Sequence, residues 1–263
     1  MDLQLSGRTA FVSGSTKGIG YAIAEGLARE GAAVAINGRT QESVDAAIAS
    51  LADAVHGATV SGYVADLADA RHVDALIDSL GPVDILVNNV GVFEVAAFAD
   101  LTDEVWQRYF DINVMSGVRL SRALLPGMLN SGWGRVLFIS SESGVNVPGD
   151  MVHYGTTKAA TLALANGLAK LTRGTGVTVN SILGGPTYSH GVADAVEGIA
   201  RAQGMGVGDL KAAIAGNNRT SLVQRFLEPA EIASLALYLA SPLASATNGS
   251  AVRADGGVLT AML

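Results

Sequence analysis

Tyr154 and Lys158 stand four residues apart, the spacing that places two side chains one turn apart on the same face of a helix. A phenol and an ammonium so arranged can pass a proton to or from an oxygen. A free tyrosine titrates at about pH 10, too high for a base at neutral pH, and a neighbouring ammonium favours the phenolate and lowers that value. A Tyr-x-x-x-Lys pair also arises by chance in many helices, so its surroundings decide. Upstream stands Ser140-Ser141-Glu142-Ser143-Gly144, where a hydroxyl could hold a substrate oxygen. Hydride transfer to a ketone needs a proton for the developing alkoxide, and the reverse reaction needs a base for the alcohol.

A hydride donor implies a dinucleotide, and the N-terminal region offers a place for one. A β-rich run from Thr9 leads into Ser13-Gly14-Ser15-Thr16-Lys17-Gly18-Ile19-Gly20, after which an amphipathic helix begins. Glycines there permit positive φ and close backbone approach, and a helix N-terminus offers free N–H groups and a positive dipole end to a pyrophosphate. The end of the second β-rich run reads Ile36-Asn37-Gly38-Arg39. A free ribose 2′-hydroxyl usually meets an acid at this place, whereas a 2′-phosphate needs the acid absent and a cation nearby. Asn37 stands for the acid, Arg39 is a planar phosphate donor and Lys17 adds positive charge, so NADP is favoured over NAD.

The elements that must position these groups alternate. Strands are expected at Thr9–Ser13, Ala33–Asn37, Thr59–Val64, Ile85–Asn88, Val136–Ser140, Val177–Leu183 and Ser250–Ala254. Helices are expected at Ile19–Arg29, Ser43–Ala54, Ala70–Leu80, Thr102–Leu129, Tyr154–Thr172 and Pro229–Leu239. This rhythm predicts an α/β fold with a doubly wound parallel sheet, Rossmann-like, whose ligands bind beyond the carboxyl ends of the strands. The helix from Tyr154 has almost no polar face and is expected to be buried all round, against the sheet and a further partner. A second subunit is the simplest such partner.

Composition agrees with one domain over residues 1–263. No linker divides the chain, and 49% hydrophobic against 16% charged residues suits a sheet covered on both faces. A net charge of −7 without a Lys/Arg run speaks against nucleic acid and anionic lipid as partners. The absence of cysteine excludes disulfides and thiolate chemistry. His56, His72, His153 and His190 lack ligand spacing, so no metal is expected and they read as surface or loop residues. No signal peptide or transmembrane run is visible, which makes the cytoplasm the expected compartment.

The Gly-x-x-x-Gly-x-Gly spacing of Gly14, Gly18 and Gly20, together with Tyr154 and Lys158, resembles the short-chain dehydrogenase/reductase family, in particular its 3-oxoacyl carrier protein reductase-like branch. The likeness runs from Leu5 to Asp255-Gly256-Gly257. It implies a homotetramer and assigns roles along the chain. Asp66-Leu67 matches the pair that contacts adenine, and Asn88-Asn89-Val90-Gly91 matches the Asn-Asn-Ala-Gly signature, with Val90 larger than the usual alanine. The family's catalytic serine stands about thirteen residues before the tyrosine, at Ser141, which leaves Ser140 as its structural neighbour and Ser143 as the other reading. Asn113 matches the asparagine that bends the long helix and completes a proton relay with Lys158. Gly184 replaces a family proline, while Gly185, Thr187 and Ser189 fall in the loop that backs the nicotinamide. The implied activity is NADP-dependent interconversion of a secondary alcohol and a ketone, on an apolar carbonyl compound or a 3-oxoacyl thioester. A nucleotide-binding module without catalysis, or a lyase or epimerase on the same fold, is the alternative, and the presence of all four proton-transfer residues argues against the former.

Overall fold

Short runs of Val, Ile and Leu separated by amphipathic stretches can hide every strand only if helices cover both faces of the sheet. The computed structural model, which describes residues 2–262, has that arrangement. The strands β1 (Thr9–Val12), β2 (Ala33–Gly38), β3 (Val60–Val64), β4 (Ile85–Asn88), β5 (Trp133–Ser141), β6 (Gly176–Gly184) and β7 (Ala251–Ala254) form one sheet in the order β3-β2-β1-β4-β5-β6-β7. All six neighbouring pairs are parallel. The order reverses between β1 and β4, which opens a crevice beyond their carboxyl ends.

The helices are α1 (Gly18–Arg29), α2 (Gln41–Ala54), α3 (Ala70–Ser79), α4 (Asp103–Phe110), α5 (Ser116–Ser131), α6 (Val152–Leu171), α7 (His190–Gln203), α8 (Val207–Asn217) and α9 (Pro229–Ala240). Strand alternation sorts the core into two layers. Ala10, Val12, Ile85 and Ile182 meet α1, α2 and α9 through Ile23, Leu51 and Ile232. Phe11, Leu86, Phe138 and Val179 face α3, α5 and α6 through Leu76, Leu120 and Ala165.

Two expectations need correction. The single helix expected over Thr102–Leu129 is α4 and α5 joined by a π turn at Asp111–Met115. Two helices outside the expected set, α7 and α8, stand between β6 and α9, and they enclose a small core of Val196, Ala200 and Leu210 beside Tyr188. In the single chain α6 is buried on its sheet side, and the side for which a further partner is expected lies open. His153, Thr157, Lys158, Thr161 and Ala165 face inward, whereas Ala163 and Leu171 are exposed. Along that open side Leu164, Leu168 and Leu171 join Leu125 and Leu129 of α5 in an apolar groove of about 350 Å³.

Candidate active site

The glycine loop leaves β1 at the sheet's point of reversal and is shaped by positive φ at Gly14 and Gly18, 59° and 60°. A Cβ at Gly20 would lie 2.5 Å from both Asn89 Nδ2 and the Gly14 carbonyl, so only glycine lets α1 start this close to the loop after β4. Asn89 fixes the approach by donating from Nδ2 to the carbonyls of Ser13 and Gly14, at 3.1 and 2.9 Å. Val90 leans on Gly14, where an added Cβ would meet Val90 Cγ2 at 2.8 Å. The large residue at position 90 is thus accommodated by a missing side chain across from it. The N-terminus of α1 carries no side-chain cap, which leaves its first amides for an anion. These donors and the open cradle fit a dinucleotide pyrophosphate. Lys17 Nζ is held by His190 Nε2 at 3.0 Å, which ties the loop to α7.

At the end of β2 the side chains fall differently from the sequence expectation. Asn37 is 2% exposed and turned inward. Its Oδ1 accepts from Gly14 N–H at 3.2 Å, and its Nδ2 donates to the carbonyls of Tyr63 and Ala65, each at 3.2 Å. It braces the glycine loop against β3 and has no reach toward a ribose. The outward position is Gly38, where a Cβ would meet Thr16 Cγ2 at 2.6 Å. A side chain at Gly38 would have to displace Thr16, with Ser43 and Val44 crowding it as well. Arg39 is exposed, with no hydrogen bond or ion pair among the described residues. Asp66 is exposed beyond β3 and Leu67 is buried beneath it, with the loop held by Arg119 Nη1 donating to the Leu67 carbonyl at 3.2 Å.

The carboxyl ends of β4, β5 and β6 and the start of α6 bring the proton-transfer residues together. Ser141 ends β5 and accepts from Ser143 N–H at 3.1 Å. Ser140 Oγ donates to the Lys158 carbonyl at 3.0 Å and so anchors α6, as expected of the structural neighbour. Gly144 lets this turn dock, since a Cβ there would lie 2.9 Å from the Lys158 carbonyl carbon. Asn113, inside the π turn, accepts from Val92 N–H at 2.8 Å and donates to the Val92 carbonyl at 3.0 Å and to Thr157 Oγ1 at 2.9 Å. Its amide thus ties the interrupted helix to both the loop after β4 and α6. Gly91 lies between Asn113 and Lys158, its would-be Cβ 3.3 Å from Lys158 Nζ. Past β6, Gly184 pairs with Ser141 and Ala254 and carries the strand through the place of the family proline. Gly185 crosses the Asp255 backbone where a Cβ would come within 2.5 Å, Thr187 Oγ1 donates to the Gly185 carbonyl at 2.9 Å, and Ser189 opens α7.

The electrostatics correct one further expectation. Lys158 Nζ donates to the Ile139 carbonyl at 2.8 Å and stands 5.7 Å from the centre of the Tyr154 ring. Burial pushes the Tyr154 hydroxyl up to about 12, the hydrogen bond with Ser141 works against this, and the Glu142 charge adds to the rise. Burial also pushes Lys158 down to about 8, opposed by Glu142. Desolvation of the phenol, rather than a nearby cation, therefore governs Tyr154 in the protein alone.

Two neighbours escaped the sequence reading. His153 is completely buried, contrary to the expectation of a surface residue, and packs edge-on against Tyr109 with ring centres 4.1 Å apart. Glu142 takes hydrogen bonds from both flanking serines. Its place between two hydroxyls in the sequence was the available signal. Among the described residues no group of His, Asp and Glu could hold a metal ion, and no helix is long and apolar enough to cross a membrane.

Residues 8–199 match the family described as short chain dehydrogenase. The chain is 47% identical over 266 residues to the uncharacterized oxidoreductase YvrD of Bacillus subtilis, with all of both chains covered. It is 34% identical to the D-beta-hydroxybutyrate dehydrogenase of Cupriavidus necator, over 96% of this chain and 98% of that one. Among solved structures, L-sorbose reductase from Gluconobacter frateurii, complexed with NADPH and L-sorbose, superposes with a TM-score of 0.94 at 32% identity over the whole of both chains.

Proposed function

Because this chain belongs to the short chain dehydrogenase family and is an NAD(P)-dependent oxidoreductase, we propose that it reduces a ketone to a secondary alcohol with Tyr154 as the proton donor. The chain binds NADP, the cofactor of the similar solved enzyme. In the proposed arrangement the amides of Gly14 to Gly20 hold the pyrophosphate, Arg39 the 2′-phosphate, and Asp66, Leu67 and Val90 border the adenosine. Thr187 and Ser189 line the nicotinamide side. The bound nicotinamide supplies the hydride.

The observation that carries the proposal is the meeting of Ser141, Tyr154, Lys158 and Asn113 at one end of the sheet. Ser141 holds the carbonyl oxygen, Tyr154 gives it a proton, and the Lys158 ammonium stabilises the phenolate left behind. Burial keeps the Tyr154 phenol protonated at neutral pH, the form that gives a proton to a carbonyl oxygen. Phe93, which packs edge-on against Tyr154, and the exposed Val145 and Val147 beyond β5 offer apolar surface to a carbonyl compound. The similar proteins do not agree on one substrate, since one is named for a hydroxy acid and another for a ketose. Purified enzyme assayed for NADPH oxidation against ketones, sugars and 3-oxoacyl thioesters is expected to turn over at least one ketone to the alcohol, faster with NADPH than with NADH. No oxidation of NADPH with any carbonyl compound would refute the proposal.

The open apolar side of α6 and its groove against α5 support a homotetramer. Sedimentation at micromolar concentration is expected to show an oligomer, and a monomer would reject it.

A further inference from the structure

Glu142 is a partly exposed carboxylate at the centre of the catalytic turn. Ser141 Oγ donates to its Oε2, and Ser143 Oγ donates to its Oε1 at 3.2 Å. No lysine, arginine or histidine pairs with it among the described residues. A serine hydroxyl has one proton and two lone pairs. The Ser141 proton goes to Glu142, one lone pair accepts from Ser143 N–H, and the other side meets Tyr154. So engaged, Ser141 has no proton left for a ketone oxygen. To clamp a ketone it must withdraw its proton from Glu142, whose Oε2 then needs another donor.

We infer that the substrate brings it, as an α-hydroxyketone whose carbonyl oxygen accepts from Ser141 and Tyr154 while the adjacent hydroxyl donates to Glu142. This inference rests on the reading of the chain as a ketone reductase and narrows its substrate. Glu142 is then a specificity-determining residue. Carbonyl and hydroxyl oxygens on adjacent carbons, turned to the same side, lie about one hydrogen-bond length apart. Ser141 Oγ and Glu142 Oε2 are direct neighbours, so two substrate oxygens that close together can meet one each. The same carboxylate opposes a substrate with an acid beside its carbonyl, because the two like charges meet with no cation paired to Glu142. The reaction balances as a two-electron reduction. A hydride leaves NADPH and forms the new C–H bond at the carbonyl carbon, the Tyr154 proton goes to the oxygen, and the products are a vicinal diol and NADP⁺. A solvent proton restores Tyr154.

The test compares kcat/KM for matched substrates, hydroxyacetone against acetone and 3-hydroxy-2-butanone against 2-butanone, with pyruvate as the anionic probe. The wild type is expected to prefer each hydroxyketone by roughly tenfold to a hundredfold, the effect of one charge-assisted hydrogen bond, and to reject pyruvate. Glu142→Ala is expected to bring the pairs to near equality while still reducing the plain ketones. Glu142→Gln, which keeps the shape and one acceptor oxygen, is expected to retain part of the preference and to admit pyruvate, and it serves if the alanine variant does not fold. A wild type without the preference, or a Glu142→Ala variant that keeps it, would overturn the inference while reduction of plain ketones leaves the general reading standing. A wild type that oxidises NADPH with none of these compounds or any other ketone would overturn both.

Discussion

The cofactor cradle and the catalytic corner lie at the same edge of one sheet, yet they are built from different materials. The cradle is backbone and glycine, braced by the neutral amides of Asn37 and Asn89, whose hydrogen bonds run to main-chain atoms. The corner is made of titratable side chains, with Tyr154 and Lys158 both displaced from their ordinary protonation by burial. A change in the cradle should therefore act through folding and cofactor affinity, and a change in the corner through turnover.

Asn37→Asp offers the largest contrast. It would turn a carboxylate toward the carbonyls of Tyr63 and Ala65, which now accept from the amide. A buried charge facing acceptors is expected to cost on the order of 3 kcal/mol or more. Denaturant unfolding should show the loss, and cofactor preference should not move toward NADH. A stable Asn37→Asp protein that prefers NADH would mean that this side chain faces the ribose.

Arg39→Ala comes next, because among the described residues this guanidinium has no partner to compete with a phosphate. NADPH should weaken by a charge-assisted contact of about 1.5 to 3 kcal/mol, roughly tenfold to a hundredfold, with NADH little changed. Comparing kcat/KM for the two cofactors at one salt concentration checks this, and equal loss of both would place the 2′-phosphate elsewhere.

The smallest effect is the pH dependence of the corner. In the proposed mechanism the ammonium of Lys158 is needed as Tyr154 gives up its proton, and burial pushes Lys158 down to about 8. Reduction should be level below that value and fall by up to roughly tenfold per pH unit above it. A rate that climbs through this range would exclude Lys158 as the stabilising cation.

The two regions were also unequally legible in the sequence. The glycine loop, the ends of β1, β2 and β4 and the Tyr154–Lys158 pair could be read, because strict turn geometry and apolar runs leave few alternatives. The orientation of Asn37 could not be read from its neighbours' chemistry. Adjacent strand residues face opposite ways, so one position separates the Asn37 side chain, which braces the glycine loop, from Gly38, packed on the other face against Thr16. The π turn at Asp111–Met115 was hidden because one extra residue in a helical turn hardly disturbs the apolar pattern. The α7–α8 pair was missed since α8 buries only Leu210 and its sequence has little periodic contrast. The rise of the Tyr154 pKa was missed for a different reason. Spacing alone places Lys158 beside the phenol, but only the packed structure shows its Nζ committed to the Ile139 carbonyl.

The division of labour between the two regions is tested most directly by Tyr154→Phe, with NADPH affinity and turnover measured on the same preparation. The ring still packs edge-on against Phe93, at 6.2 Å between centres, and the cradle is untouched. Fluorescence titration should then give a Kd for NADPH close to that of the wild type, while kcat for ketone reduction falls by roughly 10²- to 10⁴-fold, the share expected of a positioned acid. Turnover retained in this variant, or NADPH binding lost along with it, would contradict the account.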